Sequence, residues 1–148
     1  MAIDIERIAH LRARYDQCFG CGAANPIGLH LDGFAIDGQA VTAVFEPRPE
    51  YAGFVDTLHG GIVATALDEA SAWAAMITEG VLVYTAKLDI RYRSVAAASH
   101  RFSMWGSVME RRGRRLTIQA RMTDIDTVVA ESTGLFIVAD EHTASLEA

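Results

Sequence analysis

Residues 61–79 read GIVATALDEASAWAAMITE. The stretch is rich in alanine and free of proline, and Gly80 follows it, so it is expected to form a helix that ends there. Apolar residues lie around most of its circumference, the pattern of a helix covered on more than one side. Beyond Gly80 the period drops to two. In residues 82–95, Tyr84, Ala86, Leu88, Ile90 and Tyr92 alternate with Thr85, Lys87, Asp89, Arg91 and Arg93, as in a strand. Residues 101–111, 114–124 and 127–139 continue as strands, the last two joined by a turn around Asp124–Asp126. Upstream, LHLDGFAIDG (29–38) and AVTAVFEP (40–47) form two more, split by the Asp37-Gly38 turn. Residues 17–28 and 47–60 carry the Gly, Pro and Asn of loops. Residues 3–16 place Ile5, Ile8 and Leu11 among charges, as in a short amphipathic helix, and 140–148 read as a frayed tail. Strands joined by tight turns pair antiparallel. One long helix against such a sheet is an α+β fold.

The 148 residues suit a single domain, 1–148, with 51% hydrophobic and 22% charged residues, a globular composition. A net charge of −6 offers no overall basic footprint for nucleic acid. No apolar run nears the ~20 residues of a membrane span. The first residues, MAIDIERIAHLRARYD, lack the apolar core of a signal peptide, so a soluble, cytoplasmic protein is expected.

Chemistry concentrates on the long helix. Leu58-His59-Gly60-Gly61 opens it. The first N–H groups of a helix have no internal acceptor, and the helix dipole favours negative charge there, which suits an oxyanion. Alternatively, the two glycines only permit close packing at the helix start. Asp68 and Glu69 interrupt the apolar stretch. A buried unpaired carboxylate is costly, so each needs solvent, a partner or a function. The stripe through Asp68 is Gly61, Ala64, Thr65, Ser71, Ala72 and Ala75, all small or polar, whereas that through Glu69 holds Ile62, Trp73 and Met76. The small stripe leaves room beside Asp68 for a ligand or a second helix. Asp68 is therefore taken as the reactive carboxylate and Glu69 as a partnered charge, unless both merely reach solvent or a salt bridge. Gly61 and Asp68 lie roughly 10.5 Å apart along the axis, yet an oxyanion donor and a nucleophile must meet within about 3 Å of one carbonyl. Two antiparallel copies of the helix satisfy both, which points to a homodimer with two composite sites.

The segment LHGGIVATALDEASAWAA, followed by Tyr84-Thr85-Ala86-Lys87-Leu88-Asp89-Ile90-Arg91-Tyr92, resembles the hotdog-fold acyl-CoA thioesterases of the PaaI-like group. The opening CFGCGAANPIGLHL is similar to a subset of that group. The resemblance implies a long helix wrapped by an antiparallel sheet of about six strands, assembled as homodimers or dimers of dimers. It also implies hydrolysis of acyl-CoA to free acid and CoA without a cofactor. By the same resemblance the Gly60 N–H meets the thioester carbonyl with Gly61 beside it, and Asp68 is nucleophile or general base. Thr85 holds the attacking water, and His59 adjoins the glycines. Two positions depart from the group: Gly53 stands where many members have a polar amide, and Val95 where many have proline. The rival readings are a non-catalytic acyl-CoA-binding hotdog protein and, ranked lower, an acyl-thioester hydratase or dehydratase.

Cys18 and Cys21 form C-x-x-C, half a zinc site or a redox pair; no second cysteine pair exists, and His10 and His30 have no diagnostic spacing. A packing role and no metal are expected. Arg111, Arg112, Arg114 and Arg115 surround Gly113 at a hairpin turn. Arg112, Arg114 and Arg115 are candidates for the phosphates of coenzyme A, against a merely solvated turn, with Arg91 and Arg93 as possible contributors. Tyr51, Phe54, Trp73 and Trp105 line an acyl pocket or belong to the core. His100 and His142 have no motif around them, and neither a G-x-S-x-G elbow nor a P-loop occurs.

Overall fold

The computed structural model describes residues 5–139. The expected tail 140–148, with His142, lies outside the described residues. The elements are α1 (Ile5–Arg14), β1 (Asp32–Asp37), β2 (Ala40–Phe45), a short 3-10 turn (Pro49–Tyr51), α2 (Gly60–Thr78), β3 (Val83–Tyr92), β4 (Phe102–Arg112), β5 (Arg115–Asp124) and β6 (Thr127–Val138). The strands form one six-stranded sheet in the order β1-β2-β4-β5-β6-β3, with every neighbouring pair antiparallel.

The sheet wraps α2. Ala66, Leu67, Trp73, Ala74 and Ala75 are fully buried, which accounts for the apolar circumference. At Gly106 of β4 the helix sits so close that an added Cβ would lie 2.5 Å from the Ala70 carbonyl oxygen, so only glycine fits. One core cluster joins Leu11 of α1, Phe45, Trp73, Phe102, Met104 and Met122; a second gathers Ala74, Ala75, Leu116, Ile118 and Phe136 at the far end of α2. Phe34 of β1 stacks on Trp73 with ring centroids 4.1 Å apart. No helix among the described residues is long and apolar enough to cross a membrane.

Two expectations need correction. The first strand begins at Asp32 rather than Leu29. Leu29 and Leu31 are buried, but their N–H groups go to Phe19 and Gly20 carbonyls (2.7 and 3.0 Å), and His30 between them has φ 54°. Their hydrogen bonds tie the 17–28 loop down instead of lengthening the sheet. The unbroken alternation of β3 is also interrupted. A bulge between Thr85 and Lys87 puts Thr85 opposite Phe136 and Leu88 opposite Gly134. Phe136 faces α2, so Thr85 does as well, and Leu88 joins the same inner cluster beyond the extra residue. Tyr84, expected on the inner face with Leu88, is instead 64% exposed.

Candidate active site

The start of α2 is stitched in place. The Leu58 N–H donates to Ala96 O (2.8 Å) and the His59 N–H to Tyr51 O (2.9 Å). His59 is the N-cap: its Nδ1 accepts the Gly61 N–H at 2.9 Å, and its carbonyl accepts from Ile62 and Val63 (2.9 and 3.2 Å). Of the first-turn donors, only the Gly60 N–H has no acceptor among the described residues. The sequence-based expectation for Gly61 therefore changes in kind: its N–H is spent on His59 and serves the cap. Tyr92, at the end of β3, donates its hydroxyl to Gly60 O at 2.7 Å. A small cavity of about 130 Å³ opens beside this point, lined by Gly60, Val63, Tyr92, Val95 and Val129 among others. Tyr92 was not among the expected site residues; its inward position in the β3 alternation was the available signal. Gly53 packs on the helix start, where a Cβ would stand 3.3 Å from His59 Cα.

Two turns further along, the half-buried Asp68 accepts the Thr85 hydroxyl at 2.5 Å. The β3 bulge is what aims that hydroxyl at the helix. Ala64, Thr65, Asp68 and Ala72 keep a half-open face, while Ser71 and Ala75 turn into the core. The structure thus brings Asp68 and Thr85 together, and Gly60 with His59, but leaves the two groups apart. Gly60 and Asp68 are eight residues apart on one continuous helix, roughly 12 Å along its axis.

The family model of the thioesterase superfamily matches residues 56–131, which hold the helix start, Asp68 and Thr85. The chain belongs to the thioesterase superfamily. Its architecture is the superfamily's hotdog fold. Among curated proteins it is similar to the acyl-coenzyme A thioesterase THEM4 of Bos taurus, 28% identical over 146 residues. That match covers 97% of this chain and 60% of the relative, so the chain spans about 60% of the length of that protein. Among solved structures it is similar to a thioesterase superfamily protein, RHA08564 (TM-score 0.74, 22% identity, 82% of this chain and 60% of that one). It is also similar to a Streptococcus mutans UA159 protein solved bound to acetyl CoA (TM-score 0.68, 18% identity, 74% and 88%).

The remaining candidates of this thioesterase-superfamily chain lie elsewhere. The arginine turn sits at the C-terminal end of α2, where Arg111 pairs with Glu79 at 3.1 Å. Arg112 pairs with Glu110 at 2.5 Å, and Arg114 donates to Val138 O at 2.8 Å. Arg115 has no ion pair among the described residues. The expected free patch is thus partly tied down, and it lies at the opposite end of α2 from Gly60. Arg93 pairs with Glu131. Tyr51 is a buried tether bonded to Gly28 O and Arg48, and Trp73 is core; Trp105 lies under Arg121, and Phe54 is 86% exposed. None of these four lines the cavity beside Gly60.

Glu69 turns away from Asp68. Its Oε1 accepts from Trp73 Nε1 at 3.1 Å and lies 3.5 Å from Cys18 Sγ. Burial, reinforced by the adjacent Cys18, pushes its carboxyl up to about 7. Cys18 is held below the usual thiol range, chiefly by a hydrogen bond from the Cys21 thiol; that same contact and burial push Cys21 up. His30 donates to Asn25 O, and His10 is exposed on α1, so neither joins the cysteines.

Proposed function

We propose that the chain hydrolyses an acyl-CoA thioester to free acid and CoA, in two composite sites of a homodimer. The observation that carries this reading is that α2 presents, at Gly60, an N–H with no acceptor among the described residues, and a carboxylate held by a hydroxyl, Asp68 with Thr85. They are too far apart to serve one carbonyl within a single copy. In an antiparallel pair of helices, packed along the half-open face of Ala64, Thr65 and Ala72, the helix start of one copy meets Asp68 of the other.

The thioester oxygen then accepts the Gly60 N–H, at the positive end of the helix dipole, where charge develops in the tetrahedral intermediate. The His59 cap and the Tyr92 bond hold the Gly60 peptide in place. The partner's Thr85 donates to one oxygen of the partner's Asp68, and the second oxygen of that carboxylate has no donor among the described residues. That oxygen attacks the carbonyl carbon, or takes a proton from a water that does. If the carboxylate attacks, the C–S bond breaks to leave an aspartyl anhydride, which water then cleaves to the acid and Asp68. If activated water attacks, the C–S bond breaks directly to the acid. In both, CoA leaves as the thiol with a proton drawn from the water. The guanidinium groups of Arg112, Arg114 and Arg115 are the groups assigned to the nucleotide phosphates, whose oxygens such planar cations bind in pairs. The acyl-CoA relationship is supported by the name of the bovine relative and by the acetyl CoA in the Streptococcus structure.

Release of free thiol from a panel of acyl-CoAs tests the reading. Turnover of at least one member is expected. Tight binding without turnover would replace the reading by that of a non-catalytic acyl-CoA-binding protein. Single turnover in ¹⁸O-water probes the role of Asp68: label in its carboxylate requires an anhydride opened at the aspartyl carbon, whereas activation of water labels only the acid.

A further inference from the structure

We propose that Cys18, Cys21 and Glu69 form a three-ligand site for a borderline-soft divalent cation of the zinc kind, with the fourth position open to an adjoining cavity. One ligand atom from each residue lies within 4.8 Å of the other two. A tetrahedral zinc with Zn–S about 2.3 Å and Zn–O about 2.0–2.1 Å has an S···O edge of about 3.5–3.6 Å. The Cys18 Sγ to Glu69 Oε1 separation is 3.5 Å. That edge joins groups 51 residues apart in sequence, one in the loop after α1 and one in the middle of α2.

The surroundings suit the assignment. The Gly22 N–H donates to Cys18 O at 2.8 Å, closing one turn that sets both sulfurs on the same side. A Cβ at Gly20 would come within 2.4 Å of the Glu69 carboxyl, so glycine here is what lets the carboxylate reach the sulfurs. Trp73 Nε1 orients that carboxylate from behind, as outer partners of metal ligands do. Among the described residues no Lys, Arg or His pairs with Glu69; three acidic groups converge on a point that no protein cation serves. A cavity of about 180 Å³, lined by Tyr15, Ala72, Met76 and Leu82 beside the three ligands, gives a fourth, water ligand ample room. A pair of packing cysteines needs neither a carboxylate nor a glycine cleared for it. The cation would clamp the N-terminal loop to α2 one residue from Asp68.

The test uses the reduced, metal-stripped full chain titrated with Co²⁺ and then Zn²⁺. One Co²⁺ per chain is expected, with near-ultraviolet thiolate-to-cobalt charge-transfer absorption and the intense visible bands of a tetrahedral site. Zn²⁺ should displace it stoichiometrically and protect both thiols from alkylation. Cys18→Ser and Cys21→Ser should lose the charge-transfer band. Glu69→Gln, which keeps size and hydrogen bonding, should weaken Zn²⁺ binding by roughly tenfold or more. The wild-type spectrum and the alkylation protection stand even if a cysteine variant fails to fold. Absence of the charge-transfer band, its survival in both cysteine variants, or undiminished affinity in Glu69→Gln would overturn the site. So would formation of a Cys18–Cys21 disulfide under mild oxidation by a reduced form that takes up no Co²⁺, which would make the pair redox-active instead.

Discussion

Asp68 and Glu69 are chain neighbours with opposite surroundings: one is half-open and bonded to a hydroxyl, the other is set against a thiol and an indole. Asp68→Asn keeps the size and removes the proposed nucleophile or base, so kcat is expected to fall by ~10² or more with the fold intact. Thr85→Val, which deletes only the hydroxyl, should lower kcat while leaving KM near its wild-type value, because Thr85 acts through Asp68 and not on bound CoA. Steady-state kinetics alongside circular dichroism check both; a fully active Asp68→Asn would remove the carboxylate from the mechanism. The divergence of the pair was readable from the side chains sharing each stripe of the helix. The company of Glu69 was not. Cys18 is remote in sequence, and nothing in a C-x-x-C says which distant carboxylate its loop will be folded against. The spending of the Gly61 N–H on His59 was equally hidden, because a cap depends on a side-chain torsion that spacing does not encode.

At the scale of elements, the change of period at Gly80 was enough to order one long helix and the strands after it. The two misplacements have one kind of cause. Periodicity reports which residues are apolar, not where backbone hydrogen bonds go. Leu29 and Leu31 alternate like strand residues but bond to a loop, and the β3 bulge shifts the phase while Tyr84 and Ala86 keep the pattern apolar. Two predictions belong here. His100, between β3 and β4, pairs with Asp124 at the end of β5 at 2.6 Å, and that carboxylate raises its pKa above the usual 6.5. A raised histidine stabilises the folded state fully below the unfolded value and loses that contribution as pH rises through the folded one. The Tm advantage of wild type over His100→Gln should thus be largest below about pH 6 and vanish at higher pH. A gap independent of pH would show that the ion pair is not its source. The β4–β5 turn gives the second. Neutralising Arg112, Arg114 and Arg115 together should raise KM for acyl-CoA more than it lowers kcat, with little change for a short thioester lacking the nucleotide. Equal effects on the two substrates would remove the phosphate assignment.

On the scale of the whole molecule, the question is which chain supplies which group. Two inactive variants answer it: Asp68→Asn, and Gly60→Pro, which deletes the donor N–H and must first be shown to fold. In a mixed dimer one site carries both defects and the other carries none. Random pairing at equal amounts makes about half the dimers mixed, so roughly a quarter of wild-type activity should return on refolding the two together. No recovery from demonstrably mixed dimers would place donor and acid in the same chain. Such a division of labour could be suspected from sequence only because both groups lie on one helix, where the rise per residue acts as a ruler. The same ruler has a kinetic consequence. Gly60 and Asp68 are borne roughly 12 Å apart by a rigid rod, and no loop motion within one copy closes that gap. In the proposed composite site a lone copy carries only half of the machinery, so the rate per chain is expected to stay constant while copies remain paired. Once dilution separates them it falls in proportion to concentration, and it recovers when the same sample is concentrated again.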